Sequence, residues 1–147
     1  MKTFKKKTSQ VLAFSSISQG QEYSFEKTLT EGDIGGFAKL TGDHNPLHTD
    51  DVYARKTPFK KKVCHGMFLG SLFSRLVGMY CPGKEALYLT QALEFKRPVF
   101  AGDKLTVKGI VMDKSESTKI IALKTLILVE GKVVVSGEAK VLFRGEI

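Results

Sequence analysis

Asp43 and His48 stand in one short run, Gly42-Asp43-His44-Asn45-Pro46-Leu47-His48, and their types and spacing suit general acid–base chemistry. Pro46 stiffens the stretch between them, so both side chains can face one cavity at a fixed separation. A carboxylate there can take a proton from water while a neighbouring imidazole orients that water. Burial against an apolar helix would raise the carboxyl pKa toward the working pH and make it a better base. A third element follows at His65-Gly66-Met67. Gly66 is expected to open a buried helix, where unpaired N–H groups and the positive end of the macrodipole converge. An N–H aimed at a carbonyl oxygen stabilises negative charge that gathers there. One such donor is typically worth about 2.7–4 kcal/mol. Glycine suits the position because no Cβ blocks a flat substrate.

The elements that must hold these residues can be read from the patterning. Residues 1–21 are basic and then rich in Ser, Gln and Gly, and they read as a leader open to partial disorder. Residues 22–147 read as a single domain. Tyr23 to Leu29 alternates as a first strand, and Thr30-Glu31-Gly32-Asp33 reads as a turn whose Asp33 caps a short helix through Phe37 and Leu40. Gly42 suits the left-handed conformation that ends such a helix. The stretch from His44 to His48 is expected to be irregular, because Pro46 pushes Asn45 out of the helical region. A second short helix is expected from about Thr49 to just before Pro58.

One long helix is predicted from about Gly66 to Tyr80, stopped by Pro82-Gly83. Its apolar residues, Met67, Phe68, Leu69, Leu72, Phe73, Leu76 and Val77 among them, lie nearly all round, as in a buried helix. Gly66, Gly70, Ser74 and Gly78 form a stripe of small residues that backbone or substrate can approach closely. From Ala86 onward the apolar period becomes two, over Leu87–Phe95, Lys104–Val111, Lys119–Val129 and Val133–Phe143. The last two pair across Glu130-Gly131-Lys132. Five strands and one buried helix predict an α+β hot-dog fold, an antiparallel five-stranded sheet wrapped around the helix.

Composition narrows the function classes. A chain of 147 residues with 42 % apolar and 26 % charged residues can bury a core without disulfides. Cys64 and Cys81 match no CxxC pattern, which fits a reducing, cytoplasmic setting. No apolar run approaches the roughly 18–20 residues that span a bilayer. Lys2, Lys5, Lys6 and Lys7 resemble a signal-peptide start, but the apolar stretch that follows, Val11-Leu12-Ala13-Phe14, falls short of the about 7–15 residues required. A net charge of +8 favours anionic partners. Nucleic acid is disfavoured, since the basic runs Lys5–Lys7 and Lys60–Lys62 lack interleaved aromatics and no recognised motif accompanies them. Lys5–Lys7 reads as a solvated surface. His44, His48 and His65 are the three histidines, and no Cys or His pair has zinc-ligand spacing, so no metal is expected.

The run Gly42-Asp43-His44-Asn45-Pro46-Leu47-His48 closely resembles the MaoC-like, (R)-specific enoyl-CoA hydratase family, whose signature is G-D-x-N-P-[apolar]-H. No position departs from it. The similarity extends to His65-Gly66-Met67 and to Phe95-Lys96-Arg97-Pro98-Val99-Phe100-Ala101-Gly102-Asp103, and covers most of residues 22–143. Short hydratases that feed 3-hydroxyacyl-CoA into polyhydroxyalkanoate synthesis look most similar. The resemblance implies reversible hydration of trans-2-enoyl-CoA to (R)-3-hydroxyacyl-CoA, with the coenzyme A thioester as substrate and no cofactor. It implies that Asp43 and His48 jointly activate the water and that the Gly66 N–H holds the thioester oxygen. Asn45 would brace the loop or the water, and Ser74 would hydrogen-bond near the catalytic Asp. A homodimer or higher homo-oligomer with active sites near the interface is implied as well. Lys60, Lys61 and Lys62 lie just before Gly66 and could meet the phosphates of coenzyme A at the pocket mouth. His65 reads as a structural residue that sets up the turn before Gly66, and His44 as a loop residue. Two alternatives keep the fold: a thioesterase whose carboxylate directs water to the carbonyl carbon, and a dehydratase acting on 3-hydroxyacyl groups of acyl carrier protein. Thioesterases of this fold usually lack the Gly-Asp-x-Asn-Pro-x-His run, whereas a basic surface suits an acidic carrier.

Overall fold

The computed structural model describes residues 8–145, so Lys5–Lys7 lies outside the described residues. Strand β1 (Glu22–Thr28) leads into helix α1 (Glu31–Thr41), then the short helices α2 (Pro46–Thr49) and α3 (Asp51–Arg55). Helix α4 (Gly66–Met79) is followed by four strands, β2 (Ala86–Phe95), β3 (Lys104–Lys114), β4 (Ile120–Val129) and β5 (Lys132–Phe143). All five strands form one sheet in the order β1-β3-β4-β5-β2, every pair antiparallel. The expected hot-dog arrangement is what forms.

Period-two patterning explains the sheet. Leu105, Val107 and Val111 of β3, Ile121, Leu123 and Ile127 of β4, and Val135, Ala139 and Val141 of β5 are each at most 1 % exposed. They pack with Leu69, Phe73, Leu76 and Val77 of α4. The helix sits close because β3 carries Gly109 beneath it, where a Cβ would come within 2.8 Å of the Leu76 side chain. Glu130 (φ 49°) and Gly131 (φ 74°) both take the left-handed region, the geometry that a tight hairpin between β4 and β5 needs.

Several expectations are corrected. Residues 8–21 are not an open leader but a strap across the end of α4. The Gln10 N–H donates to the Met79 carbonyl (3.0 Å), the Lys84 N–H to the Gln10 carbonyl (2.9 Å), and Ile17 is fully buried beside Val77, Cys81 and Val111. One buried isoleucine outweighs a polar average composition. Helix α1 is capped by Thr30 rather than Asp33. The two make a capping box, in which the Thr30 side chain accepts from the Asp33 N–H and the Asp33 carboxylate accepts from the Thr30 N–H. The stretch from Pro46 is helical, not irregular, because proline preset for helix stands at its first position behind Asn45 as cap. Helix α4 is not buried all round: Met67 is 61 % exposed, and Ser71 and Ser74 are exposed on the same side. Among the described residues, no helix is long and apolar enough to cross a membrane.

Candidate active site

Gly42 ends α1 with φ 79° and delivers Asp43 at the turn. The loop is held by its own polar groups: the Asp43 N–H donates to Thr41 Oγ1 (3.2 Å), and the Asn45 N–H donates to Asp43 Oδ1 (3.2 Å). Asn45 Oδ1 in turn accepts from the Leu47 N–H (3.0 Å) and starts α2, which sets His48 in its last turn. The bracing role expected of Asn45 therefore has a geometric counterpart.

His48 Nδ1 lies 2.6 Å from the Val63 carbonyl oxygen. A carbonyl can only accept, so Nδ1 carries a proton, and in the neutral ring it is Nε2 that keeps the free lone pair. His65, 2 % exposed, lies between the two candidate residues. Its Nε2–H donates to the Asp43 backbone carbonyl (3.0 Å) and lies 3.9 Å from Asp43 Oδ2. Its ring stacks on that of His48 with centroids 4.0 Å apart, and the Phe37 ring meets it edge-on at 4.9 Å. The remaining nitrogen, His65 Nδ1, is buried without a hydrogen-bond partner among the described residues.

Gly66 is the first residue of α4, so its N–H has no partner within the helix. The Phe95 ring covers its Cα face, and a Cβ there would come within 3.0 Å of ring carbons. Gly70 is covered by Leu93 in the same way. The small-residue stripe is thus partly filled by side chains of β2. His48 and Gly66 line one cavity of about 360 Å³, whose other walls include Phe59, Leu69, Phe95 and Val99. Cys64 is also on its wall, and burial, aided by the charge of Asp33, pushes its thiol up to about 12.

One oxygen of Asp43 and one nitrogen each of His48 and His65 lie within 4.8 Å of one another. A divalent ion could span such a set, but His48 Nδ1 and His65 Nε2 already donate to carbonyls, so each ring has at most one nitrogen free to coordinate.

Some expected features are absent from the single chain. Asp43 is not buried, since its side chain is 50 % exposed. Ser74 is exposed two turns beyond Gly66, about 12 Å along the helix at 1.5 Å per residue, and makes no hydrogen bond to Asp43. Lys62 does not stand free: it is held by Glu31 (3.0 Å) and Asp51 (3.8 Å). Lys61 lies over the Phe100 ring at 4.3 Å, and Lys60 is exposed. His65 does more than set a turn, and the only trace of this in the sequence was its place next to Gly66.

The MaoC like domain description matches residues 14–133. An (R)-specific enoyl-CoA hydratase of Rhodospirillum rubrum is 40 % identical over 129 residues, 88 % of this chain and 90 % of the relative. The (R)-specific enoyl-CoA hydratase of Aeromonas caviae is 42 % identical over 127 residues, 86 % of this chain and 95 % of the relative. The solved structure of the (R)-hydratase from A. caviae involved in PHA biosynthesis superposes with a TM-score of 0.84 at 41 % identity, covering 87 % of this chain and 98 % of that one.

Proposed function

The chain belongs to the MaoC-like domain family, and from that premise we propose that Asp43 and His48 are the acid–base pair of an enzyme that hydrates 2-enoyl thioesters. The reaction interconverts trans-2-enoyl-CoA and (R)-3-hydroxyacyl-CoA. One observation carries the assignment of roles: His48, its Nδ1 fixed on Val63 and its Nε2 free, lines the same cavity as the Gly66 amide.

The water is held between the Asp43 carboxylate and His48 Nε2. The carboxylate takes one proton as the water oxygen bonds to C3 of the substrate. The electron pair of the double bond moves toward the thioester oxygen, where the Gly66 N–H meets the growing charge. The held proton then passes to C2 and the carbonyl re-forms. One water is added, no bond to sulfur breaks, and both new bonds form on one face because the same pair takes the proton from water and returns it to C2. Cofactor and metal take no part in this scheme.

A homodimer or higher homo-oligomer with sites near the interface belongs to the same reading. Its support is the free edge of β2, with Leu87, Leu89 and Phe95 exposed, beside the open stripe of Met67, Ser71 and Ser74 on α4. Within one chain Ser74 makes no hydrogen bond to Asp43, and this reading assigns any such contact to the assembled oligomer. A cytoplasmic setting is also part of this reading and fits two free, buried cysteines.

The test is hydration of crotonyl-CoA, followed by loss of enoyl absorbance and chiral analysis of the product. Asp43→Asn and His48→Ala should each lower kcat by about 10²–10⁴, the usual worth of a positioned acid or base, with the melting temperature little changed. Full activity in either variant removes the assignment. Release of free thiol would favour the thioesterase instead. Dialysis against a chelator should leave the rate unchanged.

A further inference from the structure

The walls of the catalytic cavity continue outward. Phe95, Lys96 and Arg97 line it, and the same three residues line a second cavity of about 720 Å³, completed by Glu94, Lys132 and Val133. The two cavities differ in character. Phe59, Val63, Leu69 and Val99 make the inner one apolar, whereas the outer one presents three cations against one carboxylate. Glu94 lies 3.2 Å from Lys96 Nζ, and neither Arg97 nor Lys132 has an ion-pair partner among the described residues.

The backbone fixes these cations where they are. Phe95, the last residue of β2, pairs with Val135 of β5, and the Lys96 N–H donates to the Val134 carbonyl (2.8 Å), so the Lys96-Arg97 segment runs beside the start of β5 at Lys132. Two residues past Arg97, the Val99 carbonyl accepts from the Cys64 N–H (2.8 Å) and ties the segment to the entrance of α4. The outer cavity is therefore held in register with Gly66.

We propose that Lys96, Arg97 and Lys132 form an anion subsite that takes the phosphates of the nucleotide end of coenzyme A. The thioester passes Phe95 into the apolar cavity while the charged end stays in the outer one. This inference rests on the enoyl-thioester reading above and deepens it. Arg97 is suited to the task because its planar guanidinium can meet two phosphate oxygens at once. The Lys60–Lys62 run is the weaker alternative, since Lys62 is already engaged by Glu31 and Asp51.

The experiment compares crotonyl-CoA with crotonyl-pantetheine, which lacks every phosphate, and reads the ratio of their kcat/KM values. In the unaltered protein the ratio favours crotonyl-CoA and falls with added salt, as exposed charges are screened. The double variant Arg97→Glu/Lys132→Glu should lower that ratio at least about tenfold, comparable to losing one charge-assisted contact. Lys60→Glu/Lys61→Glu should leave it within about twofold. All four side chains are exposed, and a melting curve checks that both variants fold. An unchanged ratio in the first variant, or a fall only in the second, overturns the subsite. Absence of hydration of either ester by the unaltered protein overturns the reaction itself, and with it the subsite.

Discussion

The ring of His65 stacks on His48 at 4.0 Å while its Nε2–H holds the backbone carbonyl of Asp43 at 3.0 Å. One buried side chain thus touches both residues of the proposed acid–base pair, and Phe37 backs it from the other side. His65→Ala should lower kcat about 10- to 100-fold with KM little changed, because the pair loses its spacing rather than the substrate its contacts. His65→Gln keeps a side-chain donor and should recover part of the loss. Steady-state rates of both variants check this, and a purely structural role would give no such rescue.

Gly66→Ala places a methyl within 3.0 Å of the Phe95 ring. The ring lies on the wall between the inner and outer cavities, so its displacement should disturb substrate as well as fold. Lower kcat/KM and a modest fall in melting temperature, about 1 kcal/mol of stability, are expected. Phe95→Leu should relieve the stability loss in Gly66→Ala, which a double-mutant cycle would reveal.

Both cysteines should be inert in the folded protein. Burial raises Cys64 to about 12 and Cys81 to about 11, the latter despite a hydrogen bond from Tyr23 that acts the other way. At pH 8 neither forms the thiolate that reacts. Titration with a thiol reagent should therefore detect no free thiol until denaturant is added, and then both.

Asp33 makes a pH-dependent contribution at the start of α1. Burial alone would raise its carboxyl, but the Thr30 N–H and Lys27, 3.0 Å away, outweigh it and hold the group below its ordinary value. A carboxyl lowered by folding stabilises fully above its unfolded pKa, and the contribution is lost as pH falls through the folded one. Asp33→Asn should cost about 1 kcal/mol near neutral pH. The gap to the unaltered protein should close below about pH 4 in denaturant melts.

What could be read in advance was local. Strands β3 to β5 showed in the alternation of residues such as Leu105, Val107, Ile121 and Leu123, because one face of the sheet is buried and the period is fixed by the pleat. Gly42 and the Glu130-Gly131 turn were legible because left-handed backbone restricts residue type. The features that were missed depend on distant partners. Ile17 is buried only because Val77, Cys81 and Val111 meet it, and Lys62 is engaged only because Glu31 and Asp51 come near. His65 reaches Asp43 across 22 positions of chain. Thr30 is hard to tell from Asp33 as the cap in the sequence, because Asp33, three residues on, carries a capping side chain too.

The bare edge of β2 gives the folded chain one more property. Its outward amides and carbonyls, without a strand partner among the described residues and flanked by Leu87 and Leu89, offer a template for an extended segment. Heat tolerance should then rise with protein concentration, since mass action favours ordered pairing of that edge over solitary chains. In a crowded or partly unfolded sample the same strip of backbone becomes the place where aggregation begins.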